Sequence, residues 1–194
     1  YSSQFIFPAN LNMKDLSLHI LDIVQNSIRA KATLIGIEID EQPNENQLII
    51  TITDNGTGMS PEQLQSAIDP FYTSRTTRKV GLGLSLFKQN AEMTGGSFSI
   101  ESVFGKGTKV TAIFELNHLD RPIMGDLVGT LLILICSSDE INYVFKHKTP
   151  SGEYELDTRE IRQTLENVPI SNSDVRLFLK EMLQENLEQI QISE

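Results

Sequence analysis

The 194-residue sequence has no tryptophan, one cysteine, no apolar run long enough to cross a bilayer and no surplus of positive charge. Each absence removes a class of protein. With Cys136 alone, no disulfide can form within the chain, so a disulfide-stapled secreted scaffold is excluded and the cytoplasm is the expected compartment. No secretory signal is read ahead of Met13. The longest apolar stretch, "LVGTLLILIC" (127–136), falls well short of the ~20 residues of a spanning helix. It predicts a buried helix or strand, and no membrane span. Sixteen Lys and Arg face 26 Asp and Glu, net −10, which lacks the basic footprint of a nucleic-acid binder. Nucleic acid is therefore not an expected partner. There is no G-x-x-x-x-G-K-[ST] phosphate loop, no internal repeat and no low-complexity tract.

What remains is an ordinary globular composition, 39% hydrophobic and 22% charged, enough for one core or one core with a small appendage. The charge is uneven. Residues 14–116 hold nine basic and twelve acidic side chains, whereas 117–194 hold seven and fourteen. Against that background the basic cluster "SRTTRKV" (74–80) stands out.

Residues 13–32 read as a helix, with Leu16, Ile20, Ile23, Val24 and Ile28 at helical spacing and Asp22, Asn26 and Arg29 sharing another face. His19 lies near that face. "TLIGIEIDE" and "LIITITDNG", joined by the polar "PNENQ", predict an antiparallel hairpin. Ser60, Pro61 and Gln63 form a capping box at the start of the next helix. A further helix is expected over 84–94, closed by Gly95-Gly96, and then strand, glycine-rich turn, strand. The fold class expected is α+β: a two-layer sandwich of mixed or antiparallel sheet with helices on one face. Beyond Asp120-Arg121-Pro122, residues 119–194 predict a small α/β extension. It comprises the apolar run, a hairpin, a short helix, and an amphipathic helix with Ser173 as N-cap and Val175, Leu177, Phe178, Met182, Leu183, Leu187 and Ile190 as its apolar positions. Residues 1–12, "YSSQFIFPANLN", are an N-terminal arm or an expression remnant.

Four pieces carry chemistry: Asn26 on the first helix, "DNGTGM" (54–59), the basic loop 71–78, and "GLGLS" (81–85). Singly, each has a plain alternative as a turn, a solvated helix face or a loop glycine. Together, in this order, they resemble the GHKL superfamily of gyrase-type topoisomerases, large heat-shock chaperones, sensor histidine kinases and mismatch-repair ATPases. "LDIVQNSIRAKAT" is similar to the N box, "DNGTGM" to the G1 box, "DPFYTSR" to the F box, and "GLGLSLFKQNAEMTGG" with "GKGT" to the G2 box and its sequel. From Asp54 onward the likeness is to the catalytic ATP-binding domain of histidine kinases. The N box leans toward the mismatch-repair branch.

The resemblance implies the Bergerat ATP-binding fold over residues 13–118, with ATP and Mg²⁺ as cofactors. It implies that Asp54 accepts a hydrogen bond from the adenine amine, that Gly56 and Gly58 let the backbone approach the ring, and that Met59 packs on its face. Thr108 would back Asp54 through its hydroxyl and a water. Asn26 would give Mg²⁺ a neutral oxygen, and Arg29 would pair with phosphate oxygens. Gly81, Leu82, Gly83 and Leu84 would open a helix whose free amides face the phosphates. Phe71 and Arg75, with Arg78 and Lys79, would belong to a lid.

The fate of the γ-phosphate is open at this level. ATPases and serine kinases of the superfamily carry a glutamate four residues before the N-box asparagine, and here that place holds Asp22. Asp22 is the candidate general base; its alternatives are ordering a metal-bound water or pairing with Arg29. No acceptor-bearing helical hairpin is read in the twelve residues before Met13, and His19, His118 and His147 match no acceptor motif. The expectation is a stand-alone protein kinase of histidine or serine type, or a signalling ATPase, using Mg²⁺-ATP and acting on a partner protein. The other readings are a conformational-cycle ATPase and a non-catalytic ATP-gated switch. A homodimer is a further expectation, and residues 119–194 are either a docking element or the completion of the core.

Overall fold

The computed structural model of the chain describes residues 15–68 and 82–191. Helix α1 (Leu16–Arg29) is followed by the antiparallel pair β1 (Leu34–Gln42) and β2 (Gln47–Asp54). Helices α2 (Pro61–Ile68) and α3 (Leu82–Met93) lead into the hairpin β3 (Ser97–Val103) and β4 (Gly107–Glu115). Then come α4 (Leu127–Ile135), β5 (Asn142–Thr149), β6 (Gly152–Asp157), α5 (Thr158–Leu165) and α6 (Ser173–Ile190). The apolar run is thus a helix, buried through Leu127, Leu131, Leu132, Leu134 and Ile135 and capped by Asp126, whose carboxylate accepts from Gly129 N at 2.8 Å. Among the described residues no helix is long and apolar enough to cross a membrane.

All six strands form one sheet in the order β3-β4-β2-β1-β5-β6. Four of its joints are antiparallel, and β1 with β5 is parallel, with Ile37 opposite Phe145 and Ile39 opposite His147. Alternation decides which side is covered. Ile35, Ile37, Ile39, Leu48, Ile50, Ile52, Val110, Ala112, Phe114, Tyr143 and Phe145 are all buried, and they pack with α1, α3, α4 and α6 into one core. The intervening residues, among them Gly36, Glu38, Thr51, Thr53, Val144 and Lys146, line the other side, where a trough of about 500 Å³ crosses the sheet. The architecture is the expected α+β sandwich. The hairpin from residues 119–194 continues the sheet of residues 13–118, sharing its core. The far edge, β6, carries Glu153, Glu155 and Asp157; Lys146 bridges the first two at 3.2 and 3.6 Å.

The linker between β4 and α4 turns back to the start of α1. Leu16 N and Ser17 N donate to the Ile123 and Met124 carbonyls at 2.8 and 2.9 Å. These are first-turn amides with no partner inside their own helix. Arg121 braces the linker by donating from Nε to the Leu116 carbonyl at 2.7 Å.

Two local expectations are corrected. Helix α6 is capped by Asn172, not Ser173: the Asn172 side chain accepts from Asp174 N at 2.8 Å. Its buried stripe is Val175, Leu179, Leu183, Leu187 and Ile190, while Leu177 and Phe178 are 57% and 61% exposed. The two apolar residues sit between turns of the true i, i+4 stripe, so apolarity alone misplaced the face.

Because Phe145 is fully buried on the strand that joins the two halves, Phe145→Ala is expected to cost about 3–5 kcal/mol. In urea unfolding followed by circular dichroism, the loss should appear in a single transition. A split transition with only one step displaced would mean that residues 119–194 fold separately.

Candidate functional site

Asp54 ends β2, and both its carboxylate oxygens are held. Oδ2 accepts from the Ser27 hydroxyl at 2.7 Å, and Oδ1 accepts from Gly56 N at 2.8 Å. Ser27 is buried on α1, one residue after Asn26. Two consecutive residues of one helix thus fix the carboxylate and present the neighbouring amide oxygen. Each carboxylate oxygen keeps a second lone pair for a ligand donor. Sequence reasoning missed Ser27. It was visible only as part of the N-box string, and nothing local says that its hydroxyl reaches a residue 27 positions away.

The loop after Asp54 is bolted to the turn after α1. Asn55 Oδ1 accepts from Thr33 N and Leu34 N, both at 2.9 Å, and Asn55 Nδ2 donates to the Thr33 hydroxyl at 2.9 Å. Thr57 N donates to the Ala30 carbonyl at 2.8 Å. On its other flank the loop meets the β3–β4 hairpin: Gly105 N donates to the Thr57 carbonyl at 2.7 Å, and Met59 N to Ser102 Oγ at 2.8 Å. The capping box forms as expected, with Ser60 N donating to Gln63 Oε1 at 2.9 Å and Gln63 N to Ser60 Oγ at 3.3 Å. The Ser60 hydroxyl also donates to Glu62, holding that carboxyl below its ordinary range.

Thr108 stands opposite Asp54 in the β2–β4 register, but its hydroxyl meets Ser102 Oγ at 2.9 Å. Ser102 Oγ also lies 3.1 Å from the Gly107 carbonyl, which can accept its proton. The direct hydroxyl support of Asp54 therefore comes from Ser27. The motif glycines also prove to be needed by the chain itself. Gly58 has φ +62°, and a Cβ there would collide with the Val103 carbonyl. A Cβ on Gly56 would strike the Ala30 carbonyl.

Asp22, Asn26 and Arg29 lie on α1. The Asp22 carboxylate rests on the first turn of α3, filling the space that a Cβ of Gly83 would take. Leu84, two residues into that helix, is buried in the core; Leu82 contributes the helix's first residue. Arg29 donates from Nη1 to Asn26 Oδ1 at 2.9 Å. Among the described residues no ion pair joins Arg29 to Asp22. Phe71, Arg75, Arg78, Lys79 and Gly81 lie outside the described residues. Among the described residues no three His, Cys, Asp or Glu side chains cluster as a metal site. The oxygen donors at hand are the Asn26 amide and the Asp22 carboxylate, a set suited to a hard cation that keeps waters and shares substrate phosphates.

Compared with known proteins, residues 12–118 match the family described as histidine kinase-, DNA gyrase B- and HSP90-like ATPase. The chain belongs to this family. It contains an ATP-binding domain of the histidine-kinase-like type. A putative sensor protein of Shewanella frigidimarina is 36% identical over 103 residues, 52% of this chain and 16% of that protein. The sensor histidine kinase ZraS of Salmonella typhimurium is 31% identical over 117 residues, 56% of this chain and 25% of that protein. Sensor protein SrrB of Staphylococcus aureus is 47% identical over 79 residues, 38% and 13%. The match thus spans a quarter or less of each relative. A solved structure described as the N-terminal domain of a DNA repair protein aligns over 75% of this chain and 52% of that one, at 18% identity and a TM-score of 0.49.

Gly58→Ala is expected to destabilise the ligand-free protein by at least about 2 kcal/mol, from left-handed backbone strain plus the collision with Val103. Thermal unfolding without nucleotide measures it. An unchanged melting temperature with lowered nucleotide affinity would return that glycine to the role of ligand approach.

Proposed function

We propose that this domain binds Mg²⁺-ATP and passes the γ-phosphate to an acceptor on a partner protein, as the ATP-using part of a signalling kinase. One observation carries the reading most of the way. Adjacent residues of α1, Asn26 and Ser27, supply an amide oxygen and the hydroxyl that fixes Asp54, so in this reading one rigid element would serve both the metal and the adenine contact. In this reading Asp54 accepts the adenine amine, Gly56, Gly58 and Met59 floor the base, and Asn26 holds Mg²⁺ through its oxygen. Arg29 pairs with phosphate, and the start of α3, from Gly81 through Leu82 and Gly83 to Leu84, turns amides toward the triphosphate. Phe71 and Arg75 belong to the covering loop, and Thr108 backs Asp54 through water. When bound, the metal would neutralise charge on the phosphates.

The described histidines do not stand as acceptors. His19 is fully buried, and its Nε2 meets Asn90 Nδ2 at 2.8 Å. His147 is 5% exposed and meets Glu41 at 2.8 Å, and His118 Nδ1 accepts from Asp120 N at 3.1 Å. The phosphate would go to a group outside the described residues. The names of the relatives, sensor proteins and a sensor histidine kinase, favour a kinase.

A second reading, hydrolysis, is favoured by Asp22. Its carboxylate lies against the first turn of α3, where in this reading the phosphates bind, so it stands as a base for water or for a hydroxyl.

Incubation of native lysate with the protein and γ-labelled ATP separates the outcomes. A labelled protein supports the kinase, with acid lability marking phosphohistidine. Free phosphate alone supports the ATPase, and no turnover leaves an ATP-gated switch. Asp54→Asn is expected to abolish ATP binding in calorimetry; retained affinity would sink the site assignment. Asp22→Asn is expected to spare binding while lowering turnover roughly a hundredfold or more, and unchanged turnover would remove Asp22 from the chemistry.

A further inference from the structure

Two groups that the proposed site assigns to different parts of Mg²⁺-ATP are, in the chain by itself, bound to each other. Asn26 Oδ1, the oxygen assigned to the metal, accepts from the guanidinium of Arg29 at 2.9 Å. Arg29 is exposed, and among the described residues no ion pair holds it elsewhere. Nor does any acidic cluster among them compete for a cation. The cationic group at this oxygen is therefore the protein's own guanidinium.

We propose that Arg29 is the residue that sets the metal dependence of nucleotide binding here. It occupies the Asn26 oxygen when no nucleotide is bound and turns to the phosphates when Asn26 takes the metal. The proposal rests on the reading of Asn26 as the metal ligand. Its physical basis is an exchange between two partners for each group. Residues i and i+3 are neighbours on a helix surface, so Arg29 reaches Asn26 without distorting α1. A guanidinium and a divalent cation on one oxygen repel each other, so Asn26 cannot serve both well. A phosphate, offering two charged oxygens to the guanidinium fork, is a stronger partner for Arg29 than a neutral amide. Arg29 therefore has somewhere better to go at the moment when Asn26 is needed. Without metal, Arg29 still neutralises the triphosphate, so binding persists. The metal then adds less affinity than it would in a chain lacking this arginine.

Calorimetry with ATP, in saturating Mg²⁺ and in chelator, gives the ratio of the two affinities for the wild type, Arg29→Ala, Arg29→Lys, Asn26→Ala and the Asn26→Ala/Arg29→Ala double variant. Arg29→Ala is expected to weaken metal-free binding more than Mg²⁺ binding, raising the ratio about three- to tenfold. Arg29→Lys, which keeps the charge, should restore most of the wild-type ratio. In the Asn26→Ala background, Arg29→Ala should raise the ratio by clearly less than it does in the wild type, because only direct neutralisation of the phosphates remains. An unchanged ratio in Arg29→Ala, equal weakening in both conditions, or the same increase with Asn26 absent would each overturn the proposal. Failure of the underlying reading shows separately: Asn26→Ala alone would then leave the wild-type ratio intact. Circular dichroism of each variant confirms that the exposed substitutions leave the fold in place.

Discussion

The hydrogen bond from Ser27 to Asp54 is the constraint on which the site depends. It joins the last turn of a helix to the end of a strand across the top of the core, and a charge-assisted bond of this kind is worth about 1.5–3 kcal/mol. It also fixes direction. With Oδ2 tied to α1 and Oδ1 to the Gly56 amide, the carboxylate plane cannot rotate. Asn55 then bolts the following loop to the turn that leaves α1, so helix, strand and loop meet as one rigid corner. The far end of α1 is held independently, by the linker carbonyls of Ile123 and Met124. A helix pinned at its first turn and near its last presents Asp22, Asn26 and Arg29 in a fixed orientation.

Much of this was legible in the sequence because the signals are local. The helical spacing of Leu16, Ile20, Ile23 and Val24 marked α1, and all four are buried. The capping box at Ser60 and the glycines after Met93 marked ends that the structure keeps. Order and spacing of the four motif pieces pointed to the family that the comparison then showed. What stayed hidden is non-local. No feature of "EINYVFKHK" says that it will pair parallel to β1, because strand partnership over about a hundred residues leaves no periodic trace. Asn172 and Ser173 are adjacent and both competent as caps, so only the backbone path chooses between them. Ser27 was quoted as a letter of a motif, and its role depends on a distance.

The motif glycines carry a related lesson. Their pattern suggests space kept for a ligand, yet at Gly56 and Gly58 the space is taken by the carbonyls of Ala30 and Val103, and at Gly83 by the carboxylate of Asp22. The loop after β2 is assembled by backbone approaching backbone, before any ligand is considered. The family match covers residues 12–118, but the core does not stop there: Phe145 and Leu131 pack in the same cluster as Ile37 and Phe114.

The parallel pairing of β1 with β5 has a consequence for how molecules of this protein meet one another. Without residues 119–194, the sheet would end at β1, whose free backbone groups would offer a nine-residue template to any passing strand. With them, the border moves to the six residues of β6, where Glu153, Glu155 and Asp157 recur at alternate positions. Lys146 pairs with Glu153 and Glu155, and Arg159 with Asp157, so the new edge is lined by charged side chains that are already engaged. The appended hairpin thus exchanges a nine-residue edge for a shorter, charged one that is less open to strand addition.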